Sequence, residues 1–316
     1  FSDSVYIDRL SRIPAVMEMP YNDIVRKFID MYAGRLRNQV SFMLSACNFY
    51  MPIFEEALDA YGLPLELRYL PIIESALNPS AVSRAGASGL WQFMINTGKI
   101  YGLESNSLVD DRRDPIKATW AAARYLKEMY AIYGDWNLVI AAYNCGPGTI
   151  NKAIRRANGE TDYWKIYNYL PKETRGYVPA FIAANYVMTY YCDHNICPME
   201  TNIPASTDTV QVNKNLHFEQ IADLCNVPLD QVKSLNPQYK KSMIPGDSKP
   251  YTLRLPIEAI STFIDRQDTI YAHRADELFR NRKTVAVKDI TPATRKAATA
   301  VAGKGKPTYH TIKSGD

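Results

Sequence analysis

Apolar residues recur at helical spacing through most of the first two-thirds of the chain. The pattern predicts successive helices over 21–32, 35–49, 52–61, 64–77, 88–101, 115–133, 136–143, 148–158 and 172–191. Gly34 and Gly62 separate helices, and Gly102, Gly134 and Gly146 fall at helix-end positions. Asp114-Pro115 reads as a helix start, the carboxylate capping and the proline filling a position that needs no N–H. The pattern then changes. Residues 209–212 and 251–255 alternate as strands and enclose two helical stretches, 217–225 and 229–235.

The fold class expected is therefore mainly α, with a small βααβ unit behind a helical domain. Residues 1–20, carrying Pro14 and Pro20, read as an irregular or loosely docked arm. The helical domain spans 21–200, the βααβ unit 208–256, and a helical extension 257–280. Residues 281–308, rich in Thr, Ala, Lys and Pro, read as a linker, and 309–316 as the opening of a further unit.

Composition narrows the classes. The chain has 316 residues, enough for about two domains. Hydrophobic residues make up 47% and charged residues 22%, which suits a globular protein with a real core. No window reaches the roughly 18 apolar residues of a membrane-spanning helix. The net charge of +4 resides in the tail: residues 281–316 hold eight Lys or Arg and two acids, which leaves 29 bases against 31 acids elsewhere. No basic groove for nucleic acid is implied. The first residue is Phe1 and not Met, which suits removal of a signal peptide or lipoprotein leader, with a lipid anchor upstream, or trimming of a longer chain. Five cysteines form no disulfide framework. Cys192 and Cys197 admit a disulfide, plain thiols or, with His194, a weak metal set.

The informative element is the stretch 64–77. Leu63, Leu67, Leu70, position 74 and Leu77 share one helical stripe, while Leu65, Tyr69, Ile72 and Ala76 form a second. Position 74 is Glu. A carboxylate among apolar neighbours is desolvated and tends to hold its proton, which suits a general acid that later acts as a base. The alternative is an ion pair with Arg84, Arg112 or Arg113. The context favours a cleft. Asn78-Pro79 follows, then a small-residue loop from 80 to 89, then the aromatic run Trp91-Gln92-Phe93-Met94. A Ser-His-acid triad finds at most His194 in this region. The sequence has no His-Glu-x-x-His, phosphate loop or dinucleotide fingerprint, and no cofactor or metal is expected. The Asp110, Arg112, Asp114 cluster is assigned to structure. Twenty-two tyrosines and four tryptophans suit sugar stacking, although most belong to a core.

Three ordered motifs carry a resemblance. Glu74-Ser75, Asn78-Pro79, Ala81, Ser83, Gly86-Ala87, Gly89-Leu90-Trp91-Gln92 and Met94 resemble the central motif of the family-1 lytic transglycosylases. Ala141-Ala142-Tyr143-Asn144 with Gly146 and Gly148 is similar to their second motif, and Glu173-Thr174-Arg175 with Tyr177-Val178 to their third. Ile221-Ala222, Leu224, Val232 and Leu235-Asn236-Pro237 resemble the core of a LysM repeat, and 309–316 the first strand of another.

The resemblance implies a lysozyme-like helical domain followed by a LysM-like domain. Its expected partner is peptidoglycan glycan strands, in the periplasm or at the outer membrane. It implies cleavage of the β-1,4 bond between N-acetylmuramic acid and N-acetylglucosamine, with Glu74 as the sole catalytic acid/base. Ser83 would orient the acetamido group, and Ser75, Gln92, Met94, Tyr143, Asn144 and Tyr177 would hold glycan. Paired-carboxylate glycosidases need two acids across the bond. One acid suffices if the substrate's own acetamido oxygen attacks C1 and its C6 hydroxyl closes a 1,6-anhydro ring. Two other readings stand beside this one: a true hydrolase with a second carboxylate such as Asp110, and a non-catalytic peptidoglycan-binding scaffold. The LysM-like opening, residues 210–215, lacks the Ser-Gly-Asp turn usual in such repeats.

Overall fold

The structure, a computed structural model, describes residues 1–280. Helices dominate the first two-thirds. They are α1 (Asp3–Ser11), α2 (Asp23–Ala33), α3 (Arg37–Ala60), α4 (Leu70–Ser75), α5 (Ile95–Ile100), α6 (Pro115–Tyr133), α7 (Trp136–Cys145), α8 (Pro147–Arg156), α9 (Tyr163–Ile166), α10 (Lys172–Arg175) and α11 (Tyr177–Tyr190). Local chemistry sets several ends. Asn22 accepts from the N–H groups of Ile24 and Val25, both at 3.0 Å, and starts α2. Asp114 caps α6 through Ile116 and Lys117, with Pro115 in the first turn and Gly134 at φ +62° closing the far end.

The core lies between α2, α3, α6, α7 and α11. The middle helix α11 is apolar on nearly every face, from Val178 to Met188, and is buried accordingly.

Four features depart from the pattern reading. The expected break near residue 50 is absent, and α3 runs through Pro52. Pro52 faces solvent while Tyr50, Phe54, Ala57 and Leu58 are buried, so packing outweighs the lost backbone hydrogen bond. The stretch 64–77 is a 3₁₀ turn, Leu65–Tyr69, followed by the short α4, because Ala76 and Leu77 adopt left-handed φ of 50° and 59°. Helix 88–101 shrinks to α5, since Gly86, Gly89 and Gln92 also sit at positive φ. The N-terminal arm is docked: α1 buries Tyr6 and Leu10, and Met17 is buried beyond it. Glu66 ties the arm down by accepting from the N–H groups of Val16 and Met17 at 2.6 and 2.8 Å.

A second core follows. Strand β1 (Thr207–Val212) pairs antiparallel with β4 (Tyr251–Pro256), Val210 opposite Leu253. The unit is richer than βααβ. Two further strands, β2 (Asn215–His217) and β3 (Met243–Pro245), pair with Leu216 opposite Ile244. Helices α12 (Phe218–Cys225) and α13 (Leu229–Leu235) lie between them in sequence. Helices α14 (Ile257–Asp265), α15 (Gln267–Ala272) and α16 (Ala275–Leu278) are not a separate extension. Ala259, Phe263 and Ile270 fill this same core. So do Leu108 and Val109, which belong in sequence to the helical domain. The linker and the further LysM opening read in the sequence lie outside the described residues.

Candidate active site

Glu74 occupies the last turn of α4. The left-handed pair Ala76-Leu77 ends the helix there and turns the chain into the loop 78–94. That loop is a compact double turn. Ser83 N–H donates to Ala87 O at 2.9 Å, and Ser83 Oγ accepts from Ala87 N–H at 3.0 Å. Gln92 Nε2 donates to Ala81 O and Gly89 O at 3.2 and 2.8 Å. Ser75 Oγ lies 3.0 Å from Pro71 O and 2.9 Å from Leu90 O, which fastens the loop to α4. Trp91 is fully buried, and its indole N–H reaches Thr119 Oγ1 at 2.9 Å.

Between this loop and the α2–α3 corner lies a cleft of about 430 Å³. Glu74, Ser75, Ser83 and Gln92 line one side, and Tyr32, Leu36, Gln39 and Met43 the other. A second concavity, about 360 Å³, continues from it along Asn38, Gln39 and Phe42 to Asn78.

Glu74 is half-buried at this cleft, set deep among protein atoms. Burial pushes its carboxyl up from the ordinary range to about 7. The Tyr177 hydroxyl donates to Glu74 Oε1 and acts against the rise, while the charge of Glu173 adds to it. Among the described residues no cation pairs with Glu74. Arg112 is bound to Asp110, Arg113 donates to Ser88 Oγ at 3.1 Å, and Arg84 is exposed. The ion-pair alternative is therefore not what is seen. Tyr143 and Tyr177 are both held well above the ordinary phenol range, first by burial and then by the charge of Glu74, so each remains a donor.

The other expected positions divide. Tyr143 donates to Trp91 O at 2.6 Å and braces the loop from α7. Asn144 Oδ1 accepts from Thr174 Oγ1 at 3.0 Å, joining the second and third motifs. Met94 is 44% exposed at the start of α5 and does not line the cleft. Asp110, suggested as a second carboxylate, is 1% exposed and fully engaged by Arg112. Glu173, exposed on α10, is the acid that acts on Glu74.

The sequence reading missed the far wall. Tyr32 and Met43 sit at helical spacing that reads as plain core, and only Asn38 and Gln39 break the apolar face there. The cysteines are free thiols, and His194 is engaged with the Tyr186 hydroxyl at 3.3 Å and the Phe1 ring. No group of His, Cys, Asp or Glu among the described residues could hold a metal ion.

The helical domain thus presents, among the described residues, an acid without a counter-charge at a cleft, and a small mixed unit is joined to it. Comparison with known proteins specifies the class. Residues 51–166 match the transglycosylase SLT domain family, and residues 206–272 match the LysM-like domain of lytic transglycosylase MltD. The chain thus carries an SLT transglycosylase domain followed by an MltD-type LysM-like domain. It is 31% identical over 244 residues to the membrane-bound lytic murein transglycosylase D of Escherichia coli K12, covering 76% of this chain and 53% of that protein. It is 32% identical over 124 residues to the soluble lytic murein transglycosylase of the same organism, covering 37% and 19%. The solved structure of the 70 kDa soluble lytic transglycosylase of E. coli aligns at 28% identity and TM-score 0.39, covering 45% of this chain and 24% of that one. The chain spans about half the length of that membrane-bound relative.

Proposed function

We propose that this chain is a lytic murein transglycosylase. It cleaves the β-1,4 bond between N-acetylmuramic acid and N-acetylglucosamine in peptidoglycan without consuming water. The substrate places its working site in the cell envelope. No helix among the described residues is long and apolar enough to cross a membrane.

The observation that carries this reading is Glu74, an acid at a cleft, raised to about 7 chiefly by burial, with no cation among the described residues to draw its proton away. An acid with that value can donate and accept near neutral pH. With Oε1 taken by Tyr177, Oε2 carries the transferable proton to the leaving glycosidic oxygen. The muramoyl acetamido oxygen attacks C1 as the bond breaks. Glu74, now a carboxylate, takes the proton of the C6 hydroxyl, and O6 displaces the acetamido oxygen to close the 1,6-anhydro ring. Glu74 ends protonated again. Ser83, on the same cleft, orients the acetamido group, and holding the nucleophile within the same sugar favours the ring closure.

A hydrolytic reading has one observation in its favour, the influence of Glu173 on Glu74, since a second carboxylate could activate water. Digestion of peptidoglycan in ¹⁸O-water separates the two. Transglycosylation gives anhydromuramoyl ends free of heavy label. Labelled reducing ends as the main product would establish hydrolysis.

A further inference from the structure

The loop that carries Ser83 is braced by a segment that the second core holds. The hairpin 104–112 leaves that domain and enters the second core, where Leu108 is 4% exposed and Val109 fully buried. The LysM-like domain grips it along its length. Asp110 N–H donates to Gln238 O at 2.9 Å, and Lys240 N–H to Leu108 O at 2.7 Å. Lys240 Nζ donates to Asn106 O at 2.9 Å and stands 3.7 Å from Asp110 Oδ2. Glu104 binds Lys249 at 2.6 Å and the Tyr251 hydroxyl at 3.1 Å.

At the end of the hairpin stands Arg112, whose side chain is 8% exposed. Its guanidinium holds Asp110 with two parallel bonds, Nε to Oδ1 at 2.9 Å and Nη2 to Oδ2 at 2.8 Å. The remaining nitrogen, Nη1, points the other way and donates to Gly86 O at 2.8 Å and Phe93 O at 3.0 Å. Those two carbonyls belong to the loop that carries Ser83 and Gln92. The apposition leaves no slack, because a Cβ on Gly89 would lie 1.8 Å from Arg112 O. Arg113 adds its bond to Ser88 Oγ, and Ser88 is fully buried.

We propose that Arg112 is a positioning residue through which the LysM-like domain sets the shape of the Ser83 loop, so that this domain is a structural part of the catalytic cleft. The argument is geometric. A planar fork with fixed donor directions can bind a carboxylate on one side and two carbonyls on the other only if all three partners hold their places. Asp110 is placed by Gln238 and Lys240, and the loop carbonyls are placed by Arg112. Lysine at position 112 would keep the charge and lose the fork. The inference rests on the reading of this cleft as the catalytic one.

The test uses the full chain, below the unfolding transition of every variant, with glycan turnover as readout. Arg112→Lys is expected to lower kcat about tenfold or more, with a smaller change in KM, because misplacement of an orienting group harms the reacting geometry more than binding. Ser83→Ala should also lower kcat. In the double variant the two losses should not multiply, since Arg112 acts through the loop that presents Ser83. Lys240→Met, on the LysM-like side, should give a smaller kcat loss of the same kind, and it carries the test if Arg112→Lys does not fold. Multiplicative losses, an effect confined to KM, or unaltered turnover in Lys240→Met would each overturn the proposal. An unaltered kcat in Ser83→Ala would overturn it as well. The catalytic reading fails separately, through an active Glu74→Gln or a labelled product.

Discussion

Glu74 and Asp110 are both set deep among protein atoms, and they are handled in opposite ways. Asp110 accepts two guanidinium bonds from Arg112 and has the Lys240 ammonium nearby. Glu74 receives one phenol and, among the described residues, no cation, and burial drives its carboxyl up to about 7. A buried acid with a bidentate partner is fixed in position, which serves architecture. One left without a counter-charge keeps a proton it can release, which serves chemistry. Both patterns lie within 40 residues of sequence, and only the surroundings tell them apart.

The widest separation between the two acids should come from exchanging each for its amide. Glu74→Gln keeps shape and removes the proton, so turnover is expected to fall about 10²–10⁴-fold with the fold intact, read as glycan cleavage beside circular dichroism. Near-normal turnover would place the acid elsewhere, with Glu173 the first candidate. Asp110→Asn should do the reverse. Leaving the Arg112 charge half-partnered in the interior is expected to remove about 3–5 kcal/mol of stability. Denaturant unfolding checks this, and any loss of activity should come only through the loop.

The same comparison predicts a pH effect on stability. Glu74 has a folded value near 7 against an ordinary 4.5, so the folded state binds the extra proton between those values. Stability contributed by Glu74 is then fully present below about pH 4.5 and declines as pH rises toward and past about 7. At about 1.4 kcal/mol per pH unit of separation, the ionised carboxylate costs up to roughly 3 kcal/mol, less what its exposure to the cleft screens. Glu74→Gln should therefore be more stable than the parent at pH 8 and nearly equal to it at pH 4, by thermal unfolding at both values. Equal stability at pH 8 would mean an unshifted carboxyl.

A finer distinction concerns Tyr177. Its hydroxyl favours the charged form of Glu74, so Tyr177→Phe should move the Glu74 value higher still. The alkaline limb of the pH–rate profile should shift upward with it. A downward shift would show that the phenol stabilises the protonated acid instead.

The legible part of this molecule was its local chemistry. Glu74 stood out because four leucines surround it at helical spacing, and each of them is 8% exposed or less. Yet the continuous helix that made the argument does not exist, since left-handed Ala76 and Leu77 end α4 at the acid and nothing in their side chains announces that. Caps such as Asp114 could be read because a carboxylate and a proline act on their own neighbours. The far wall of the cleft could not, because Tyr32 and Met43 face the site through tertiary packing. Leu108 and Val109 were hidden for the same reason. They read as part of the helical domain and belong to the second core, a contact separated by more than 100 residues from its partners.

The central claim is that burial, far more than any neighbouring charge and without a counter-charge, gives Glu74 its proton. The most direct measurement is ¹³C NMR titration of the labelled Glu δ-carboxyl groups, with the Glu74 resonance assigned by its absence in Glu74→Gln. The account predicts a midpoint near 7, unchanged in Arg112→Lys, which alters the loop and leaves the acid among the same atoms. A midpoint at or below the ordinary 4.5 would contradict it, and Glu74 would then be a charged residue at the cleft and not the acid that works it.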